Sequence, residues 1–204
     1  MTHTVTLTSE GLCIVDGVTM PQEHRGQELL THLYRAHVGD YPKFFKMDAL
    51  CKVGFVASEL LLAAEHHGAV DQRPGYGGSQ RGVLLFSRSG CLAVDTPYQA
   101  TIQDPDHYYP SPALFVYTLP NILTGEIAIR NRYYGETNCI LLPQPDPEAI
   151  DALVRATLES GDTSSLLTGW IECPNPDNYN AELTIIEAPL QPFNLKTFLP
   201  QAAN

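Results

Sequence analysis

Gly82-Val83-Leu84-Leu85-Phe86-Ser87 is an unbroken apolar run between two arginines, Arg81 and Arg88. It is too short for an ordinary helix and does not alternate with polar residues, which is how a strand covered on both faces reads. Such a strand needs helices above and below it, and its flanks supply them. On the N-terminal side, Arg73 to Gly82 is glycine-rich and reads as a loop. Before it, residues 46–66 form the clearest helix, with Asp48 as N-cap, a broad stripe of Leu50, Val53, Val56, Ala57, Leu60, Leu61 and Ala64, and Gly68 just past its end. Residues 23–37 carry Leu29, Leu30 and Leu33 at helical spacing, and Asp40-Tyr41-Pro42 ends that segment. Residues 4–20 read as two short strands with Asp16-Gly17 as a turn signal. On the C-terminal side, residues 88–111 look irregular and 113–133 mix short helical patterns with loops. Asn138 to Leu142 reads as a second buried strand stopped by Pro143. Asp146-Pro147-Glu148 opens a helix whose Ile150, Leu153, Val154 and Leu158 face the core and which Gly161 closes. Ser165–Ile171 and Ala181–Ala188 read as further strands. Strands alternating with helices predict α/β architecture: one domain over residues 1–188, with a proline-broken tail over 189–204.

The chain has 204 residues, enough to bury a core without staples. Its formal net charge of −11 sets it against phosphate backbones and anionic lipid, so nucleic acid is excluded as an expected partner. The same charge disfavours an acidic carrier protein docking directly on this chain. The five cysteines, Cys13, Cys51, Cys91, Cys139 and Cys173, are scattered with no C-x-x-C pair, so neither a zinc knuckle nor a disulfide framework is expected. Met1 to Glu10 has no basic or apolar leader pattern, and Glu59, Glu65 and prolines break the apolar stretches before any reaches membrane-spanning length. A reduced, cytoplasmic protein without membrane insertion is the expectation.

Single residues give little chemistry by themselves. Cys139, inside a strand, reads as a core thiol. His66 and His67 are adjacent at a helix end and do not share a face, so they suit the last helix carbonyls better than a metal. Glu28 and His32 lie one turn apart without an H-E-x-x-H pattern. His24, His32 and His37 share no motif and would meet only if the fold brought them together. Asp104, Asp106 and His107 suit an Asx turn better than a metal. No Gly-x-Ser-x-Gly elbow is present, and Gly75 to Ser79 matches no phosphate-binding spacing. Tyr108-Tyr109 and Tyr133-Tyr134 suit packing, a channel wall or a subunit interface.

Several pieces, in order, resemble β-ketoacyl synthases. Lys46-Met47-Asp48 with its following helix is similar to the family's Arg-Met-Asp element. Gly82 to Gly90 is similar to an early core strand and its small-residue loop. Ser111-Pro112-Ala113-Leu114-Phe115, Leu119-Pro120-Asn121 and Gly125-Glu126-Ile127-Ala128-Ile129 resemble the family's Ser-Pro-x-x-Phe and Pro-Asn-x-x-x-Gly-x-Ile-Ala-Ile. Gly135-Glu136-Thr137-Asn138 stands where the family has Gly-Pro-Asn, and Gly169-Trp170-Ile171-Glu172 where it has Gly-Gly-Val-Glu. The resemblance covers residues 10–188 and implies a thiolase-like half: a mixed five-stranded sheet with helices on both faces. The family's nucleophilic cysteine stands nine positions after the glycine matched by Gly135, and here that position is Gln144. An amide cannot hold a thioester. The two histidines that complete the family's chemistry belong to a second half outside the resemblance.

Glutamine at this position resembles chain-length-factor subunits, which pair with an active ketosynthase and shape its acyl tunnel. The short extent resembles ketosynthase-like proteins of aryl polyene pathways. The resemblance implies a non-catalytic accessory subunit for fatty-acid, polyene or polyketide assembly, without cofactor or metal. Its partner would be a ketosynthase subunit or a second copy, with acyl carrier protein reached through that partner. Gln144, Cys139, Asn121, Tyr133 and Tyr134 are the candidates for the acyl tunnel or interface, and helices 48–66 and 147–160 the candidates for the partner-facing layer. Two alternatives stand: an acyltransferase or 3-oxoacyl-synthase-like enzyme using another residue, such as Cys139 or His107, and a repurposed small-molecule binding module.

Overall fold

The computed structural model describes residues 3–66, 80–160 and 163–188. The loop read over Arg73–Gly82 lies outside the described residues up to 79, as do Gly68, His67, Gly161 and the tail 189–204. The elements are β1 (Thr4–Thr8), β2 (Cys13–Val15), β3 (Val18–Thr19), α1 (Gly26–His37), a 3-10 turn (Pro42–Lys46), α2 (Ala49–Glu65), β4 (Arg81–Ser87), α3 (Leu92–Ala100), α4 (Pro112–Phe115), α5 (Asn121–Asn131), β5 (Thr137–Leu141), α6 (Pro147–Glu159), β6 (Ser165–Asn175) and β7 (Asn178–Glu187). One mixed sheet runs β3-β2-β1-β7-β6-β4-β5. β4 pairs in parallel with both β5 and β6, and the remaining pairs are antiparallel.

The α/β class and the helices on both faces are as expected, but the sheet has seven strands rather than five. The difference lies at the N-terminus. Asp16 and Gly17 both take positive φ, the requirement of a tight two-residue hairpin turn. That turn leads β2 into the two-residue β3, whereas β1 and β2 are joined through residues 9–12. Residues 88–111 are also less irregular than read. They hold α3, which carries Pro97 in its interior, the residue that hides a helix from a sequence reading.

β4 is buried along its whole length. Val83 and Leu85 face the larger core, with Phe55, Leu61, Leu123, Ile127, Leu167 and Ile171. Leu84 and Phe86 face the smaller one, with Ile150, Val154, Leu158, Leu166 and Trp170. This alternation between two apolar layers explains the unbroken run in the sequence. Gly135 lets the chain cross the start of β4 closely: a Cβ there would lie 2.5 Å from the Arg81 carbonyl carbon.

Two assignments of the partner-facing layer are corrected. α2 is capped as expected, Asp48 accepting from the Cys51 N–H at 3.0 Å, but it is buried nearly all round by its own chain. α1 and α5 flank it and β1, β6 and β7 lie beneath it, so it is a core helix. α6 buries Ile150, Val154 and Leu158 on the sheet and turns Glu148, Ala152, Ala156 and Glu159 outward. Neither helix offers a large apolar side chain to a partner.

Candidate functional site at the open edge of the sheet

β5 is not the buried strand that its sequence predicts. It is the last strand of the sheet, and among the described residues it pairs only with β4. Its five residues are exposed or half-buried. Its C-terminal end runs on through Leu142, whose N–H donates to the Ser87 carbonyl at 2.9 Å. The chain then passes Pro143, Gln144 and Pro145 before α6. Asp146 caps that helix, accepting from the Glu148 and Ala149 N–H groups at 3.1 Å each. Gln144 is therefore exposed on a strand-to-helix junction. It carries no nucleophile, and the prolines on either side remove the neighbouring backbone N–H donors that an oxyanion would need.

The loop after β4 abuts this junction. The Arg88 and Ser89 N–H groups donate to the Glu172 carboxylate of β6, the Ser89 bond at 3.1 Å. Gly90, at φ +49, leaves room for Leu141: a Cβ there would come within 3.1 Å of a Leu141 methyl carbon. Glu172 fixes the loop after β4, and Gly90 of that loop gives Leu141 at the end of β5 its place.

None of the five cysteines offers a ready thiolate. Burial pushes the Cys139 thiol up to about 11, Cys13 to about 11, and Cys91 and Cys173 to about 12, and holds Cys51 well above the ordinary thiol value. Thiols in that range are protonated at neutral pH and inert. His107 is exposed in a 3-10 turn, its Nδ1 2.9 Å from Asp104 Oδ2, while Asp104 also accepts from the Asp106 N–H at 2.9 Å. That is the Asx turn expected from sequence. No three His, Cys, Asp or Glu side chains among the described residues are gathered to hold a metal.

Tyr133 and Tyr134 do come together, with Gly125, Ala128, Ile129, Arg132 and Thr137, around an open depression of about 450 Å³ between α5 and β5. Arg132, in the left-handed conformation, ends α5 and turns the chain into it. Tyr133 is buried, its ring 5.6 Å from the Arg81 guanidinium, whereas Tyr134 is exposed. Asn121, Cys139 and Gln144 do not line the depression. Asn121 is exposed at the start of α5, where its carbonyl accepts from Thr124 Oγ1 at 2.9 Å.

The sequence reading missed the apolar surface around this edge. Ile129 and Tyr134, which line the depression, are each 68% exposed, and Leu141 of β5 is exposed as well; Tyr108, Tyr109, Phe115, Val116 and Leu119 are exposed on the segment that precedes α5. Few charges interrupt it. Glu126 is buried against Lys43 at 2.5 Å, and Arg130 pairs with Asp40 at 2.6 Å, while Asp104, Asp106, Arg132 and Glu136 are exposed. An apolar surface of this kind on a chain of net charge −11 is what a binding face looks like. No single helix among the described residues is long and apolar enough to cross a membrane.

No protein-family model matches the sequence, and no curated protein matches it. Solved structures do match. An ishigamide ketosynthase/chain length factor superposes with a TM-score of 0.63 at 15% identity over 92% of this chain and 62% of that one. A ketosynthase (ApeO) in complex with its chain length factor (ApeC) from Xenorhabdus doucetiae gives 0.56 at 12% identity, over 92% of this chain and 77% of that one. AntDE:AntF, a type II polyketide synthase acyl-carrier protein in complex with its ketosynthase, gives 0.57 at 12% identity over 91% of this chain and 62% of that one. The chain thus spans about three fifths of the first of these. With its mixed sheet, its helices on both faces and these likenesses, the chain has the thiolase-like fold of ketosynthases and chain length factors.

Proposed function

We propose that this chain is a non-catalytic, chain-length-factor-like subunit that pairs with an active ketosynthase in fatty-acid, polyene or polyketide assembly. The observation that carries the reading is the junction at Gln144: an exposed amide, at the position where the resemblance expects the nucleophile, beyond the end of a strand that pairs on one side only among the described residues and is bordered by exposed apolar side chains. An edge strand left open is a template for another chain, and Ile129 of α5, Tyr134 and Leu141 of β5 are exposed apolar side chains that such a partner would cover. The five protonated thiols support a non-catalytic role over an acyltransferase that uses Cys139. The partner, not this acidic chain, would receive the acyl carrier protein, and Gln144 and Leu141 would border the shared acyl tunnel.

The test is reconstitution. The ketosynthase encoded nearest to this chain is assayed with and without it, and then with Gln144→Ala. The reading expects defined products only when both proteins are present, and a changed distribution of product lengths with Gln144→Ala. Unchanged products with and without this chain would contradict it.

A further inference from the structure

A different feature lies on α1. Gly26 opens this helix at φ +52, and Arg25 before it is extended at φ −137 and ψ 167. His24 therefore does not continue the helical path. Eight residues along a helix would separate two side chains by about 12 Å. Instead the His24 and His32 imidazoles lie 4.6 Å apart, centroid to centroid, with their planes tilted by 39°. Glu28 stands four residues from each in sequence, its Oε2 4.0 Å from His24 Nδ1. With Gln27, Thr31 and Arg35 these residues line an open groove of about 440 Å³.

We propose that His24 and His32 anchor a surface site for a borderline transition-metal dication of the nickel, copper(II) and zinc class, with Glu28 as third donor. Neutral imidazole is the side chain such ions prefer. With metal–nitrogen bonds of about 2.1 Å, two imidazoles at right angles on one ion place their centroids roughly 4.5 Å apart, which matches the separation in the protein. The three side chains are not yet gathered as a complete ligand set. The Glu28 side chain is 86% exposed, so it turns toward the imidazoles without disturbing packing. Arg35 lines the same groove and its charge opposes a dication there. Nothing in this inference depends on the ketosynthase reading.

The test is isothermal titration of Ni²⁺, Cu²⁺ and Zn²⁺ into the full chain at pH 7.5, with the thiols kept reduced by a phosphine. One equivalent is expected to bind. His24→Ala and His32→Ala should each weaken binding by at least about tenfold, and Glu28→Gln less. Arg35→Ala should tighten it, and His37→Ala should leave it unchanged. His24 is half-buried and the other positions are exposed, so the variants should fold, and circular dichroism checks that. Absence of binding at millimolar metal, or binding undiminished in the His24→Ala/His32→Ala double variant, would overturn the proposal.

Discussion

Gln144 and the five cysteines make the same statement at the scale of single residues. Burial keeps every thiol protonated, so iodoacetamide at pH 7.5 should leave all five unmodified in the folded protein and modify them once it is unfolded. Mass spectrometry of the intact chain reads this directly. A cysteine placed at the exposed position, Gln144→Cys, should be alkylated first, which would confirm that the junction is reachable. The raised thiol values also fix a pH dependence. Above about pH 9 the unfolded chain loses thiol protons that the folded chain keeps, so stability should fall as pH rises past 9, as chemical denaturation at pH 8 and pH 10 would show. The glutamine was legible in the sequence because it sits at a fixed offset from Gly135. The exposure of Ile129 was not, because an isoleucine in an apolar helix reads as core whether or not a neighbour covers it.

At the scale of elements, caps and turns were legible and edges were not. Asp48 caps its helix as read, since a cap is a local bond to the next turn, and Asp146 caps the helix that Asp146-Pro147-Glu148 was read to open. Asp16-Gly17 was read as a turn, but the strand beyond it is two residues long and leaves no periodicity to find. β5 was misplaced in the core because its Cys139, Ile140 and Leu141 are as apolar as those of β4. Which strand lies at the edge depends on topology, not composition. One nonlocal pairing anchors β4 to the end of α2. Arg81, 2% exposed, donates twice to Glu65 at 2.7 Å and once to Ser165 at 2.9 Å. Burial pushes the Glu65 carboxyl up, but the Arg81 bonds overcome this and hold it below the usual carboxylate range. Its stabilisation is therefore present near neutral pH and lost as pH falls through that depressed value. Arg81→Ala leaves the half-buried carboxylate only His66 Nε2, 2.8 Å away, and should cost up to about 3–5 kcal/mol of stability by urea denaturation.

At the scale of the whole molecule, the sheet is protected at one edge and open at the other. β3 closes the first with a two-residue strand, while β5 ends the second beside Leu141, Tyr134 and Ile129. Neither helix expected to meet a partner is free to do so, because α2 is enclosed by its own chain and α6 is polar outside. The account therefore moves the partner from the helical layers to the β5 edge. Ile129→Arg and Leu141→Asp, both at exposed positions, should leave the thermal midpoint of the lone chain within a degree or two while disrupting assembly. The measurement that tests this most directly is the mass of the species recovered when the chain is co-expressed with its neighbouring ketosynthase and only one of the two carries a tag. The account predicts a stoichiometric complex that Ile129→Arg abolishes. A well-folded lone chain, recovered without the ketosynthase, would contradict it.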